Sequence, residues 1–222
     1  MSTPLARPSR GSSLLGVEII TASGPAKAET DAAEHPAFLL VLTHGAGGGV
    51  ASKDIIAASK AGLEAGAVVI RVTQPYRVRG ARAPGSAQRQ DAAWLEIIKA
   101  VRDNYPGLPL IQGGRSNGAR LACRTAQQAG ADAVIALAFP LHPPGKADDP
   151  ARSRAGELQA AGVPVLVING DRDPFGIPEP ADAAKLIVLP GETHALSRHP
   201  QAITTAVASW LGEVIRPAPQ RS

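Results

Sequence analysis

A chain of 222 residues, 44% of them hydrophobic, is long enough to bury a core within one α/β-sized domain; with aromatics at only 3%, that core must be built from Ala, Val, Leu and Ile. The net charge of +4 is mild, the single cysteine, Cys123, excludes an internal disulfide, and no run is apolar enough to span a membrane. Residues 1–13 are polar, carry Pro and Arg and lack the apolar centre of a signal peptide, so the expectation is a cytoplasmic protein.

In chain order, residues 1–13 are expected to be disordered, residues 14–216 to form a single α/β domain and residues 217–222 to fray. Residues 14–21 (LLGVEIIT) predict a first strand. Residues 22–36 read as a polar connection that has room for a further short strand. The continuous apolar run 37–43 (AFLLVLT) predicts a strand buried on both faces, and it ends in the glycine-rich turn His44-Gly45-Ala46-Gly47-Gly48-Gly49. A helix follows over 53–65, a strand over 67–72, and then a loop over 73–85. Arg71, Arg77, Arg79, Arg82 and Arg89 fall in a stretch with no acid between Glu64 and Asp91. Such a stretch attracts phosphate or carboxylate, or is a solvated loop, and no nucleic-acid module accompanies it. Residues 88–104 predict a helix with Trp94, Leu95, Ile98 and Val101 on one stripe. Strands are predicted over 109–112, 133–139, 164–169 and 184–189, with helices over 119–129, 153–161 and 203–215. Strands alternating with helices require parallel pairing and crossovers, hence a mostly parallel sheet covered on both faces, with the site beyond the carboxyl ends of the strands.

The turn between the strand at 109–112 and the helix at 119–129 holds Gly114-x-Ser116-x-Gly118. This is the nucleophile-elbow pattern, in which a sharp strand-to-helix turn lifts a serine hydroxyl above the sheet. A serine hydroxyl needs a base to take its proton, and the base needs a carboxylate to orient it. An acid follows one later strand and a histidine the next. Asp173 is preferred to Asp171 because it lies farther past the strand end, and His194 is preferred to His199 and His142. Two donors must face the charge that develops on an attacked carbonyl: the backbone N–H of Asn117 and that of Ala46. The glycine-rich turn fails both phosphate-binding fingerprints, since Val50 breaks the dinucleotide pattern and no Gly-Lys-Ser/Thr follows. His44, Tyr76, Arg79, Arg82 and His142 are candidate substrate-binding residues. The prolines around His142 equally suit a role in stiffening the loop beside Ser116.

Four motifs carry a resemblance: Leu42-Thr43-His44-Gly45-Ala46-Gly47-Gly48, Gly113-Gly114-Arg115-Ser116-Asn117-Gly118-Ala119-Arg120, Phe139-Pro140-Leu141-His142-Pro143-Pro144-Gly145-Lys146 and Gly170-Asp171-Arg172-Asp173-Pro174-Phe175-Gly176. With them the chain resembles an α/β-hydrolase of the dienelactone-hydrolase type. More closely, it is similar to the family that includes a testis-expressed hydrolase-like protein and a subunit of the non-specific lethal chromatin complex. Two departures stand out: Asn117 where Met is frequent and Ala119 where Gly is. The resemblance implies an α/β-hydrolase fold and a triad of Ser116, Asp173 and His194. Residues 140–149 are too few for the helical cap many such proteins carry, so an open, shallow site is expected. The expected activity is hydrolysis of a small-molecule carboxylic ester or thioester, with no metal or organic cofactor and with neither nucleic acid nor membrane as partner. The rival expectation is a non-catalytic binding or scaffold protein on the same fold.

Overall fold

A computed structural model of the chain describes residues 14–146 and 149–215; the expectations for residues 1–13 and for residues 217–222 lie outside them. Eight strands form one sheet: β1 (Leu14–Thr21), β2 (Gly24–Ala32), β3 (Phe38–Thr43), β4 (Ala67–Thr73), β5 (Leu110–Arg115), β6 (Ala133–Leu137), β7 (Val165–Gly170) and β8 (Lys185–Leu189). Their order is β1-β2-β4-β3-β5-β6-β7-β8. The pairs β1–β2 and β2–β4 are antiparallel, and every pair from β4 to β8 is parallel. The helices are α1 (Lys53–Glu64), α2 (Pro75–Val78), α3 (Ala87–Asn104), α4 (Asn117–Ala129), α5 (Ala155–Gln159) and α6 (Pro200–Val214).

Side-chain alternation along the central strands creates two cores. In β3, Leu39 and Val41 face one core with Trp94 and Ile98 of α3, Leu121 of α4 and Leu158 of α5. Phe38, Leu40 and Leu42 face the other, with Ile55 of α1 and Val207, Trp210 and Leu211 of α6. All six residues of β3 are buried, which explains its continuous apolar sequence. Full burial of each large apolar side chain contributes about 1.5–3 kcal/mol, so two layers of helices hold the central strands rigidly beneath the site. Polar residues also sit inside this core. Gln112 of β5, fully buried, accepts from Trp94 Nε1 at 3.0 Å and donates to Ala122 O at 2.7 Å and Thr125 Oγ1 at 3.1 Å, so its amide ties α3, β5 and α4 together.

The structure differs from the sequence reading in several places, three of which bear on the site's surroundings. The connection over 22–36 holds a nine-residue strand, β2, whose inward positions are the small residues Ala26, Ala28 and Thr30. Its GPAKAETDA sequence has few β-branched residues, and pairing on both sides makes it a strand. The loop over 73–85 contains the one-turn helix α2, opened by Pro75 at its first position. Strand β5 runs on through Gly113 and Gly114 to Arg115, so the serine stands immediately at its end. Among the described residues no helix is long and apolar enough to cross a membrane.

Candidate active site

The turns at the carboxyl ends of β3, β4, β5, β7 and β8 meet on one rim of the sheet. Ser116 joins β5 to α4 with φ 53° and ψ −117°, a left-handed conformation for a residue with a side chain. Such a conformation costs about 1–3 kcal/mol and survives only where the surroundings enforce it. Here they do. A Cβ on Gly114 would lie 2.5 Å from Thr43 O, and one on Gly118 would lie 2.7 Å from His44 O and 2.8 Å from Thr43 O. Strand β3 therefore packs against the elbow at a distance only glycine allows. The Ser116 N–H donates to Leu137 O at 2.9 Å, fixing the turn to β6.

Ser116 Oγ lies 2.9 Å from His194 Nε2, and His194 Nδ1 lies 2.8 Å from Asp173 Oδ2. The carboxylate only accepts, so Nδ1 carries the hydrogen and Nε2 presents a lone pair to the serine hydroxyl. The Asp173 side chain is fully buried, whereas that of His194 is 19% exposed, so solvent reaches the imidazole and not the carboxylate. Asp173 Oδ1 accepts from Phe175 N–H at 2.9 Å, and Asn169 Nδ2 approaches Oδ2 at 3.4 Å. Asn169, buried in β7, also accepts from Phe139 N–H at 2.8 Å and donates to Phe139 O at 3.0 Å, which ties the segment after β6 to β7 just below Asp173. The Phe175 ring meets His194 edge-on, with centroids 4.4 Å apart.

His194 is carried on a loop after β8 that is built around a buried carboxylate. Glu192 Oε1 accepts from Arg198 N–H at 2.7 Å and His199 N–H at 2.6 Å, and Oε2 accepts from Ser197 N–H at 3.0 Å. Burial alone would raise its pKa, but the bonds from His199, Arg198 and Ser197, with the nearby His199 ring, bring it below the ordinary carboxylate value. His199 is thereby engaged with Glu192, its Nδ1 at 3.3 Å, rather than with Ser116.

The glycine-rich turn after β3 is fixed from beneath. His44 is fully buried; its Nε2 accepts from Gln74 N–H at 3.0 Å, so Nδ1 carries the hydrogen and donates to Gly45 O at 2.8 Å. Burial lowers its pKa; the bond to Gly45 opposes this and the Arg77 charge adds to it, so the ring is neutral. The Tyr76 hydroxyl donates towards Gly45 O and Ala46 O at 3.4 and 3.3 Å, and Gly48 N–H donates to Gly45 O at 3.3 Å. In a trans peptide the C=O and the following N–H point in opposite directions. Holding Gly45 O against His44, Tyr76 and Gly48 therefore turns the Ala46 N–H the other way. Among the described residues neither the Ala46 N–H nor the Asn117 N–H, first in α4, has a hydrogen-bond acceptor.

The structure separates the five candidate substrate-binding residues. His44 uses both ring nitrogens within the protein, so it supports the turn and has no atom left for a ligand. Tyr76, in α2, is buried against that turn, and burial, partly offset by Arg77, raises its pKa to about 12, which keeps the hydroxyl a donor. Arg79 Nη1 donates to Ser23 O, and Arg82 is exposed. His142 is buried; its N–H donates to Phe175 O at 2.8 Å, and its ring packs where any side chain at Gly176 would sit. It braces the loop of Asp173. Of the other arginines in that stretch, Arg71 is paired with Glu29 and Asp31. Four residues around the site are given no role by the sequence: Glu192, Asn169, Arg115 and Gln90, whose Oε1 accepts from Asn117 Nδ2 at 2.7 Å. That bond explains why a polar residue is accommodated at 117. Among the described residues no cluster of three or more His, Cys, Asp or Glu could hold a metal ion, and Cys123 is a buried thiol whose pKa burial pushes up.

The profile of a family described as an alpha/beta hydrolase domain matches residues 36–197. No curated protein matches the sequence. Among solved structures, Est1E from Butyrivibrio proteoclasticus superposes with a TM-score of 0.69 at 20% identity, covering 92% of this chain and 99% of that one. XC6422 from Xanthomonas campestris, described as an α/β serine hydrolase without a lid, gives 0.70 at 20% identity over 96% and 100%. A dienelactone hydrolase from Anabaena variabilis gives 0.70 at 17% identity over 91% and 98%. At such identities the likeness is one of fold.

Proposed function

The chain belongs to the alpha/beta hydrolase family, and from that premise we propose that it is a serine hydrolase that cleaves a carboxylic ester or thioester through an acyl-enzyme. The observation that carries this reading is the unbroken hydrogen-bond chain from Ser116 Oγ through both nitrogens of His194 to Asp173, at 2.9 and 2.8 Å. In the first step Ser116 Oγ bonds to the carbonyl carbon while its proton passes to His194 Nε2. Asp173 keeps Nδ1 protonated and balances the imidazolium. The carbonyl oxygen becomes an oxyanion held by the N–H groups of Ala46 and Asn117; each such donor is worth about 10²–10³ in rate. His194 then gives its proton to the departing alkoxide or thiolate as the bond to carbon breaks. Water, deprotonated by the same ring, releases the acyl group and restores the serine.

A binding protein on this fold would need neither the strained φ of Ser116 nor an exposed base against a buried acid. The finer likeness to the testis-expressed and chromatin-complex family rests on the four sequence motifs, and it is the one ground for a scaffold role. The test is hydrolysis of p-nitrophenyl acetate and butyrate and of a short acyl thioester. Ser116→Ala is expected to lose about 10³-fold or more of kcat. Equal rates for wild type and variant would remove Ser116 from the chemistry.

A further inference from the structure

Arg115, the residue before the serine, bonds to two separate segments around the site and lies beside a third. Its Nε donates to Asp54 Oδ2 at 2.7 Å, and its Nη2 donates to the backbone carbonyl of His194 at 2.6 Å. Its Nη1 lies 3.6 Å from where a Cβ on Gly45 would stand, beside the turn that bears Ala46. Asp54, in the first turn of α1, is fully buried, and the Arg115 side chain is 14% exposed. The guanidinium is planar and rigid, so two bonds made by one fork fix both direction and distance. The same backbone that bears the serine thus holds the backbone that bears the histidine.

We propose that Arg115 is a positioning residue that sets the height and tilt of the His194 imidazole over Ser116, with buried Asp54 as its anchor. The inference rests on the triad reading above. The loop of His194 has its own internal support in Glu192, but that carboxylate bonds only within residues 192–199 and does not tie the loop to the elbow. The Arg115 bond to His194 O makes that tie directly. Lysine would keep the charge, yet a single ammonium lacks the fork that reaches Asp54 and His194 O together.

The test compares wild type with Arg115→Lys, Arg115→Gln and the double variant Asp54→Asn/Arg115→Gln. Three readouts are taken: Tm, kcat and KM for p-nitrophenyl butyrate, and the downfield proton resonance of His194 Nδ1–H in protein with 15N-labelled histidine. Arg115→Gln alone leaves the Asp54 carboxylate buried and unpaired, so a lower Tm is expected whatever its role. The double variant removes both charges and is expected to regain most of the Tm. Positioning predicts that it still loses tenfold or more in kcat with KM within twofold, that the downfield resonance is shifted or broadened, and that Arg115→Lys falls between. Recovery of kcat and of the resonance along with Tm would reduce Arg115 to a stabilising ion pair and overturn the proposal. The resonance reports on the ring even where no ester is turned over. A wild type lacking activity would therefore count against the hydrolase reading, while the resonance would still decide the role of Arg115.

Discussion

At the scale of single residues, the candidate site is a set of atoms each held by hydrogen bonds from neighbouring segments. Tyr76 shows how this can be tested. Read as a substrate contact, its loss would raise KM. Placed as it is on Gly45 O and Ala46 O, its hydroxyl steadies the peptide that presents the Ala46 N–H. Tyr76→Phe is therefore expected to lower kcat about fivefold, the equivalent of one neutral hydrogen bond of about 1 kcal/mol, with KM nearly unchanged. Steady-state kinetics on p-nitrophenyl butyrate decides between the two. That Ser116, Asp173 and His194 come together was legible because Gly114-x-Ser116-x-Gly118, Asp173 and His194 each follow an apolar run, and a parallel sheet gathers such turns on one rim. Arg115 was not legible. It meets Asp54 across 61 residues of chain, and nothing local in either segment announces the pair.

At the scale of elements, the loop between β8 and α6 is the clearest case of a carboxylate shaping backbone. The folded-state pKa of Glu192 is lowered, so its ionised form contributes stability that is fully present above its ordinary value of 4.5. That contribution is lost as pH falls through the lower folded value. Thermal melts from about pH 6 to about pH 3 should show wild type losing more Tm than Glu192→Gln, which has no charge to lose. Parallel curves for the two proteins would show that the carboxylate does not hold the loop. Element identity in the central sheet followed from apolar runs, as β3 and β6 illustrate. Strand β2 did not follow, because its Ala, Lys, Glu and Gly residues carry no strand preference of their own. It is ordered by β1 on one side and β4 on the other, and such pairing is information a local window lacks. Similarly, α6 begins at Pro200, whose missing N–H suits a first helical position, where the apolar stripe alone pointed to residue 203.

For the whole molecule, the sheet order places His194 and Asp173, carried after β8 and β7, on one side of Ser116. The glycine-rich turn, α2 and the arginine-bearing loop lie on the other. In the proposed mechanism a leaving group takes its proton from His194 and would depart on the β8 side, with the acyl group towards the basic side. Arg82 is exposed there, whereas Arg71 is neutralised by Glu29 and Asp31. Arg82→Glu is expected to raise KM a few-fold for esters whose acyl group ends in a carboxylate, more at low than at high salt, and to leave neutral esters unchanged. Equal effects on both ester classes would remove charge from the account of specificity.

The central claim is that Ser116 is a nucleophile activated by His194. Labelling with a fluorophosphonate probe, read by mass spectrometry of the modified peptide, tests it most directly. The account predicts one adduct on Ser116 in wild type, none in Ser116→Ala, and labelling slowed at least about 100-fold in His194→Ala. A wild type that stays unlabelled, or a His194→Ala variant labelled as fast as wild type, would contradict it.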